Sequence, residues 1–232
     1  MSSETDRPAE TAVPPDSDGD LRAVDGRVPG RRGMATRQRL LEHTRALLET
    51  TAYRDLKVVD IAREAGTSPA TFYQYFPDAE SALLALADSL VGEARERLTR
   101  PLREATWEGG SAYQACEQIA STFLDFWTDH SALMAVIDLI ALQGDPRFRD
   151  VRNEVVSPFV LAAAQLITEQ QSEGTVPKGL DPISTAVVLV SMLSHVAAHQ
   201  ERLDYANLRR PKLLQAMARM IYTGVTGEPP PD

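Results

Sequence analysis

The sequence predicts an all-α protein in two parts, an N-terminal three-helix helix-turn-helix unit and a larger C-terminal helical body. Three observations carry this. Residues 58–76, VVDIAREAGTSPATFYQYF, read as two short helices joined by a tight turn. Further along, one segment after another places apolar side chains three and four positions apart, the helical period. Residues 182–200 contain no Asp, Glu, Lys or Arg, which reads as a helix buried on several sides.

In the first short helix Val58, Ile61, Ala62 and Ala65 share one face, with Asp60, Arg63 and Glu64 outside. Gly66 stands just past the last periodic residue, where a left-handed backbone ends a helix without a Cβ penalty. Ser68 then reads as an N-cap, and Pro69 occupies the first helical position, where a missing N–H is harmless. Stop and restart lie roughly three residues apart, the spacing of a helix-turn-helix.

In the second helix Phe72 and Phe76, four apart, face inward, leaving Thr71, Tyr73, Gln74 and Tyr75 with hydroxyl and amide groups outward. Hydroxyls suit phosphate oxygens, while Gln74 or the methyl of Ala70 suits base edges. An exposed aromatic helix packed on a partner protein is the alternative. The cap, turn and polar face occur together, which favours DNA.

The stretch resembles the DNA-binding signature of the TetR family of bacterial regulators, in which an IAxxAG helix precedes S-x-x-TFYxYF. The matching residues are Ile61, Ala62, Ala65, Gly66 and Ser68, then Thr71, Phe72, Tyr73, Tyr75 and Phe76. The likeness runs over residues 38–84; beyond it the chain agrees only in length and helical character. Two positions depart from the pattern. Ala79, between Asp78 and Glu80, stands where relatives often carry a phosphate-binding Lys, so that contact is expected to be missing. Lys57 stands where a Thr or Ser usually caps; it cannot cap but can reach a phosphate in compensation. The expected DNA face is therefore Lys57, Ser68, Pro69, Ala70, Thr71, Tyr73, Gln74 and Tyr75.

The net charge of −9 argues against DNA until it is divided along the chain. Residues 1–26 carry −5, residues 27–76 carry +4 and residues 77–232 carry −8. The one basic segment holds the helix-turn-helix, as a phosphate-binding face requires. A single cysteine, Cys116, excludes an internal disulfide and fits a reducing cytoplasm. With no basic, apolar, cleavable N-terminus, a cytoplasmic location is expected.

Residues 1–33 are expected to be an acidic disordered tail followed by a basic arm with Arg27, Arg31 and Arg32, running on to Arg37 and Arg39. Such an arm would enter a minor groove or serve as a soluble linker. The DNA-binding unit is expected at residues 34–77. Its first helix spans residues 36–51, with Leu40, Leu41, His43, Thr44, Leu47 and Leu48 on the packed side, His43 at the surface or half-buried.

An effector-binding and dimerisation body is expected at residues 78–227, with a loose tail at 228–232. Its first helix, residues 77–100, enters through Asp78 and ends at the break marked by Pro101 and residues 107–110. It touches both parts, which makes it the lever between them. Residues 111–130 align Tyr113, Cys116, Ala120, Phe123 and Trp127 on one face, a stripe that is either core or the lining of a ligand cavity. Residues 132–142 read as a buried central helix, and residues 148–172 as a helix kinked by Pro158.

The uncharged stretch at residues 182–200 is weighed as a membrane span, but its Ser, Thr, His and Gln content argues against one. With a last helix at residues 209–223 it would pair with its symmetry mates in a four-helix interface. The family resemblance also implies a homodimer.

His195 and His199 share a helix face but lack a third ligand in sequence, and Val196 stands where HExxH has its Glu, so no metal is expected. Asp125 and Asp129 form a carboxylate pair or are simply solvated. With no phosphate loop, nucleophile elbow, dinucleotide fingerprint or paired cysteines, neither a cofactor nor an enzyme activity is expected. The reading is a homodimer that binds a double-stranded palindromic operator. The resemblance adds a small, largely apolar effector near Tyr113, Phe123, Trp127, Met134, Phe159 and Met192. A DNA-binding regulator without an effector, and a small-molecule carrier, are the alternatives.

Overall fold

The computed structural model describes Val24, residues 29–200 and residues 209–231. The acidic tail and Arg27 lie outside these, Val24 excepted. Among the described residues there is no strand, and nine α-helices follow one another: α1 (Arg31–Leu48), α2 (Val58–Glu64), α3 (Pro69–Tyr75), α4 (Ala79–Glu104), α5 (Gly109–Asp129), α6 (Ser131–Leu142), α7 (Pro146–Glu173), α8 (Pro182–His199) and α9 (Arg210–Thr226). A 3-10 turn at Tyr53–Asp55 joins α1 to α2.

Two apolar clusters organise these helices. The smaller draws Leu40 and Leu41 from α1, Ile61 and Ala62 from α2, Phe72 from α3 and Phe76 from its C-cap, and Ala82 and Ala85 from α4. The larger fills the body from α4 through α9, around Phe123, Phe126, Ile137, Phe148 and Ile221. Leu56 and Leu86 pack against both. Because α4 supplies residues to the two clusters, it is the common wall of both parts.

Several boundaries differ from the sequence reading, each for a packing reason. Helix α1 begins at Arg31 rather than at residue 36, so Arg31, Arg32, Arg37 and Arg39 belong to a helix and not to a flexible arm. Its first turn docks on α3. Gly33 lies so close that a Cβ there would come within 3.2 Å of the Tyr75 hydroxyl, and the Arg37 guanidinium sits 5.1 Å from the centre of the Phe76 ring. Arg, Met and Ala are good helix formers, and docking supplies the rest.

Helix α4 likewise runs past Pro101 to Glu104, because Leu102 is buried and Trp107 packs back, donating its indole N–H to the Leu102 carbonyl at 3.2 Å. A proline forfeits one bond of the ladder there, which burial outweighs. Helix α7 runs on through Pro158.

Helix α8 is long and apolar enough to cross a membrane by length and composition, yet one side of it, Ala186, Leu189, Val190, Leu193 and Ala197, packs against α5, α7 and α9. Its other side leaves Ile183, Val187 and Val188 48%, 45% and 67% exposed. In a single chain it is therefore half covered, not surrounded.

Candidate nucleic-acid interface and effector groove

The helix-turn-helix forms as its residue types dictate. Gly66 adopts φ +66°, Ser68 Oγ accepts the Thr71 N–H at 3.1 Å, and Pro69 takes the first position of α3. Phe72 is fully buried and Phe76 nearly so, their rings 5.5 Å apart, so α3 is held by one aromatic side. The opposite side presents Pro69, Ala70, Tyr73 and Gln74 to solvent, with Tyr73 51% exposed. Thr71 is half-buried and bonded to the cap, its hydroxyl 3.0 Å from Ser68 Oγ.

Tyr75 differs from the expectation of an outward side chain: it is half-buried and packs on the cluster beneath, its hydroxyl against the first turn of α1. Lys57 precedes α2 as an exposed, non-bonding N-cap, and Ala79 opens α4 with Asp78 as cap. On α2, Arg63 pairs with Asp60 at 2.8 Å, while Val59, unremarked in the sequence, is 58% exposed beside Lys57.

Two polar links tie this unit to the body. In the first, the Tyr53 hydroxyl donates to Glu80 at 2.7 Å, and Arg147 of α7 approaches the same carboxylate at 3.8 Å. Burial first, and the neighbouring carboxylate second, push the Tyr53 phenol up to about 12. In the second, the ring of His130, 4% exposed at the α5–α6 junction, is bonded on both nitrogens. Arg45 of α1 donates to Nδ1 at 2.8 Å, so the other nitrogen carries the proton and donates to Glu93 of α4 at 3.0 Å.

Partial burial raises the Glu93 carboxyl pKa, but the bonds from His130 and Arg97 outweigh it and hold it below its ordinary value. Arg97 also binds Asp129 at 2.6 Å. Asp125 pairs instead with Arg210, so the two aspartates serve separate arginines and form no carboxylate pair. None of this second link except Asp129 stood out in the sequence. The half-polar junction between two apolar helices was the available signal.

In the body a groove of about 660 Å³ opens between α6, α7 and α8. Of the six expected cavity residues, Trp127 and Met134 line it. Phe123 lies behind, stacked 5.6 Å from Trp127 with Phe159 edge-on at 4.9 Å, as filled core. Tyr113 packs on Tyr222 of α9 at 5.8 Å, and Met192 packs on the core; neither lines this groove. A stripe on one helix includes both rim and core, and periodicity does not separate them.

The groove also collects polar residues that the sequence reading left out, among them Asp138, Arg152, Asn153 and Ser194. His195 and His199 line it too, their rings stacked 4.4 Å apart. Among the described residues no group of three or more His, Cys, Asp or Glu is placed to hold a metal ion. Ser191, Ser194, His195 and His199 recur at spacings of three, one and four in a helix whose other polar residues, Ser184 and Thr185, lie in its first turn, and that pattern is the legible signal.

A capped recognition helix on a three-helix unit, bound through one long helix to a grooved helical body, defines a DNA-binding regulator. Residues 40–86 match the model described as "Bacterial regulatory proteins, tetR family", and residues 98–232 match "Tetracyclin repressor-like, C-terminal domain". The chain belongs to the TetR family of helix-turn-helix transcriptional regulators.

Among its relatives is the HTH-type transcriptional regulator EthR of Mycolicibacterium smegmatis, 29% identical over 150 residues, 65% of this chain and 67% of that one. The fatty acid metabolism regulator protein of Bacillus subtilis is 24% identical over 135 residues, 58% of this chain and 68% of that one. The crystal structure of FadR from Bacillus subtilis in complex with stearoyl-CoA superposes with a TM-score of 0.62 at 19% identity, covering 82% of this chain and 98% of that one. These relatives are all named as regulators.

Proposed function

We propose that the chain is a cytoplasmic, homodimeric repressor that grips a palindromic operator and leaves it when a small, largely apolar effector enters the body. The carrying observation is the solvent face of α3: Tyr73, Gln74 and Ala70 lie beyond a Ser68 cap, in the one segment of positive charge. On this reading residues 34–77 are the DNA-binding domain and residues 78–227 the effector and dimerisation domain. Lys57, Ser68, Thr71 and Tyr73 meet phosphates, Pro69 packs against the DNA backbone without donating, and Gln74 and Ala70 meet base edges. Tyr75 acts from beneath, bracing α3 against α1.

Dimerisation is supported by Ile183 and Val188, exposed apolar residues of α8 that do not line the groove, and by Met220 of α9, 54% exposed. Pairing these helices with their symmetry mates would bury that surface and set two recognition helices about one DNA turn, or a multiple of it, apart. A small-molecule effector is supported by the groove and by the acyl-CoA complex of the Bacillus subtilis relative. Helix α4 would carry the signal, since it holds Glu80 and Glu93, the body's ends of both polar links. By reciprocity, an effector that loosens DNA binds more weakly to the DNA-bound form.

Selection of bound duplexes from a random pool, followed by footprinting, tests the reading; it predicts a palindromic consensus with steeply salt-dependent binding. Tyr73→Ala should lower affinity about tenfold or more, the size of a hydrogen bond to a charged group. If Tyr73→Ala binds as the wild type does, the docking of α3 is wrong. Ala79→Lys should do the reverse, restoring a phosphate contact and steepening the salt dependence by about one unit per subunit. An unchanged slope in Ala79→Lys would place the α4 N-terminus away from the backbone.

A further inference from the structure

The groove is not uniformly apolar, and its polar residues are sorted. Helices α7 and α8 pack against each other across a short connection, so they run antiparallel. Arg152 and Asn153 lie on α7 about two turns before Val160, and His199 lies on α8 about three turns after Val187. Arg152, Asn153 and His199 therefore gather at one end and Val160 and Val187 at the other, with Ser157 and Ser191 between them. A second recess of about 210 Å³ supports this placement: it shares Trp127, Met134, Asp138 and His199 with the groove and adds the polar Thr128, Ser131 and Gln200.

Donors predominate at the polar end. The one carboxylate that lines the groove, Asp138, is already met by Arg152 Nε at 2.7 Å. Arg152 offers five N–H donors, so it can serve a second carboxylate beside Asp138. Asn153 adds an amide. Ser194 lines the same groove; its hydroxyl is buried and makes no hydrogen bond, and a buried polar atom without a partner calls for one. A cation at this end would have to displace a guanidinium, whereas an anion joins one.

We propose that the effector is an amphiphile with one carboxylate and an unbranched apolar tail, its head at Arg152 and its tail along Val156, Val160, Val187 and Val190. This rests on the effector reading above. Trp127 and Met134, each 5% exposed, form the floor where head and tail meet. From Arg152 to Leu161, the last α7 residue lining the groove, nine helical steps span about 13 Å, which sets the length of tail that fits.

The test compares three probes with one tail, decanoate, decanol and decylammonium, below their micelle concentrations. Calorimetry on the full chain gives binding, and release from the selected operator gives the response. Decanoate should bind about tenfold or more tighter than decanol, the size of a charge-assisted bond, and should release the operator. Arg152→Gln should abolish that preference while decanol binding stays unchanged, and Asp138→Asn should tighten decanoate by freeing the guanidinium. Should Arg152→Gln lose its helical signal, the gain in Asp138→Asn decides.

Equal binding of decanol, or tightest binding of decylammonium, with the operator released, overturns the carboxylate proposal and leaves the effector reading standing. If none of the three binds the wild type and the operator stays occupied, the proposal falls and the groove is removed from the effector reading as well.

Discussion

Phe72→Ala should abolish operator binding at every salt concentration while the helical body stays folded. Phe72 is fully buried, packs on Phe76 and Tyr73, and anchors α3 to Leu40, Leu41 and Ile61. Removing a buried phenyl costs about 3–5 kcal/mol, in lost transfer energy and in the cavity left behind. The N-terminal cluster has few other large side chains with which to absorb that loss. The body is anchored separately on Phe123, Phe126 and Phe148.

Hydrogen exchange should therefore show α1 to α3 losing protection while α5 to α9 keep theirs, and circular dichroism should retain most of the helical signal. A single cooperative transition that lowers both parts equally would sink this prediction. It would mean that Leu56, Leu86 and α4 weld the two clusters into one unit.

His130→Ala should leave operator affinity and effector affinity each within about threefold of the wild type, yet suppress release. From the groove wall, Trp127 meets Phe126 at 5.4 Å, Phe126 meets the His130 ring at 4.7 Å, and His130 accepts from Arg45 of α1. Met134, also in the wall, donates its backbone N–H to the His130 carbonyl at 2.9 Å. Any displacement of the wall is thus passed to a side chain bonded to both α1 and α4.

Coupling between effector and operator sites is typically about 1–3 kcal/mol, and its loss would reduce a five- to 150-fold response toward none. Stability should fall by about 1–3 kcal/mol as two hydrogen bonds to charged partners go. The measurement is operator affinity with and without decanoate, in wild type and variant. Release that persists unchanged in His130→Ala would assign the signal to the Tyr53–Glu80–Arg147 link or to α4 alone.

Much of this molecule is local and so was legible in one dimension. Gly66, Ser68 and Pro69 act on their own backbone neighbours, and Phe72 and Phe76 share a face by helical geometry, so the motif and its buried side follow from residue type and spacing. Asp78 as the cap of α4 follows in the same way, accepting the Ser81 N–H at 2.7 Å. The all-α class needed no more than the repeated period of three and four.

What the sequence left open depended on partners distant along the chain. Arg31 to Arg39 are polar and basic, and only docking of Gly33 on Tyr75 turns that stretch from an arm into helix and draws Tyr75 inward. Pro101 reads as a stop until the burial of Leu102 carries the helix past it. Phe123 and Phe159 resemble Trp127 and Met134 in composition, but three-dimensional packing puts the first pair in the core and the second in a groove wall. Arg45 and His130 lie 85 residues apart and have no pattern that joins them. Periodicity determines which face of a helix turns inward, and the tertiary structure decides what that face meets, because contact is set by neighbouring helices and not by neighbouring residues.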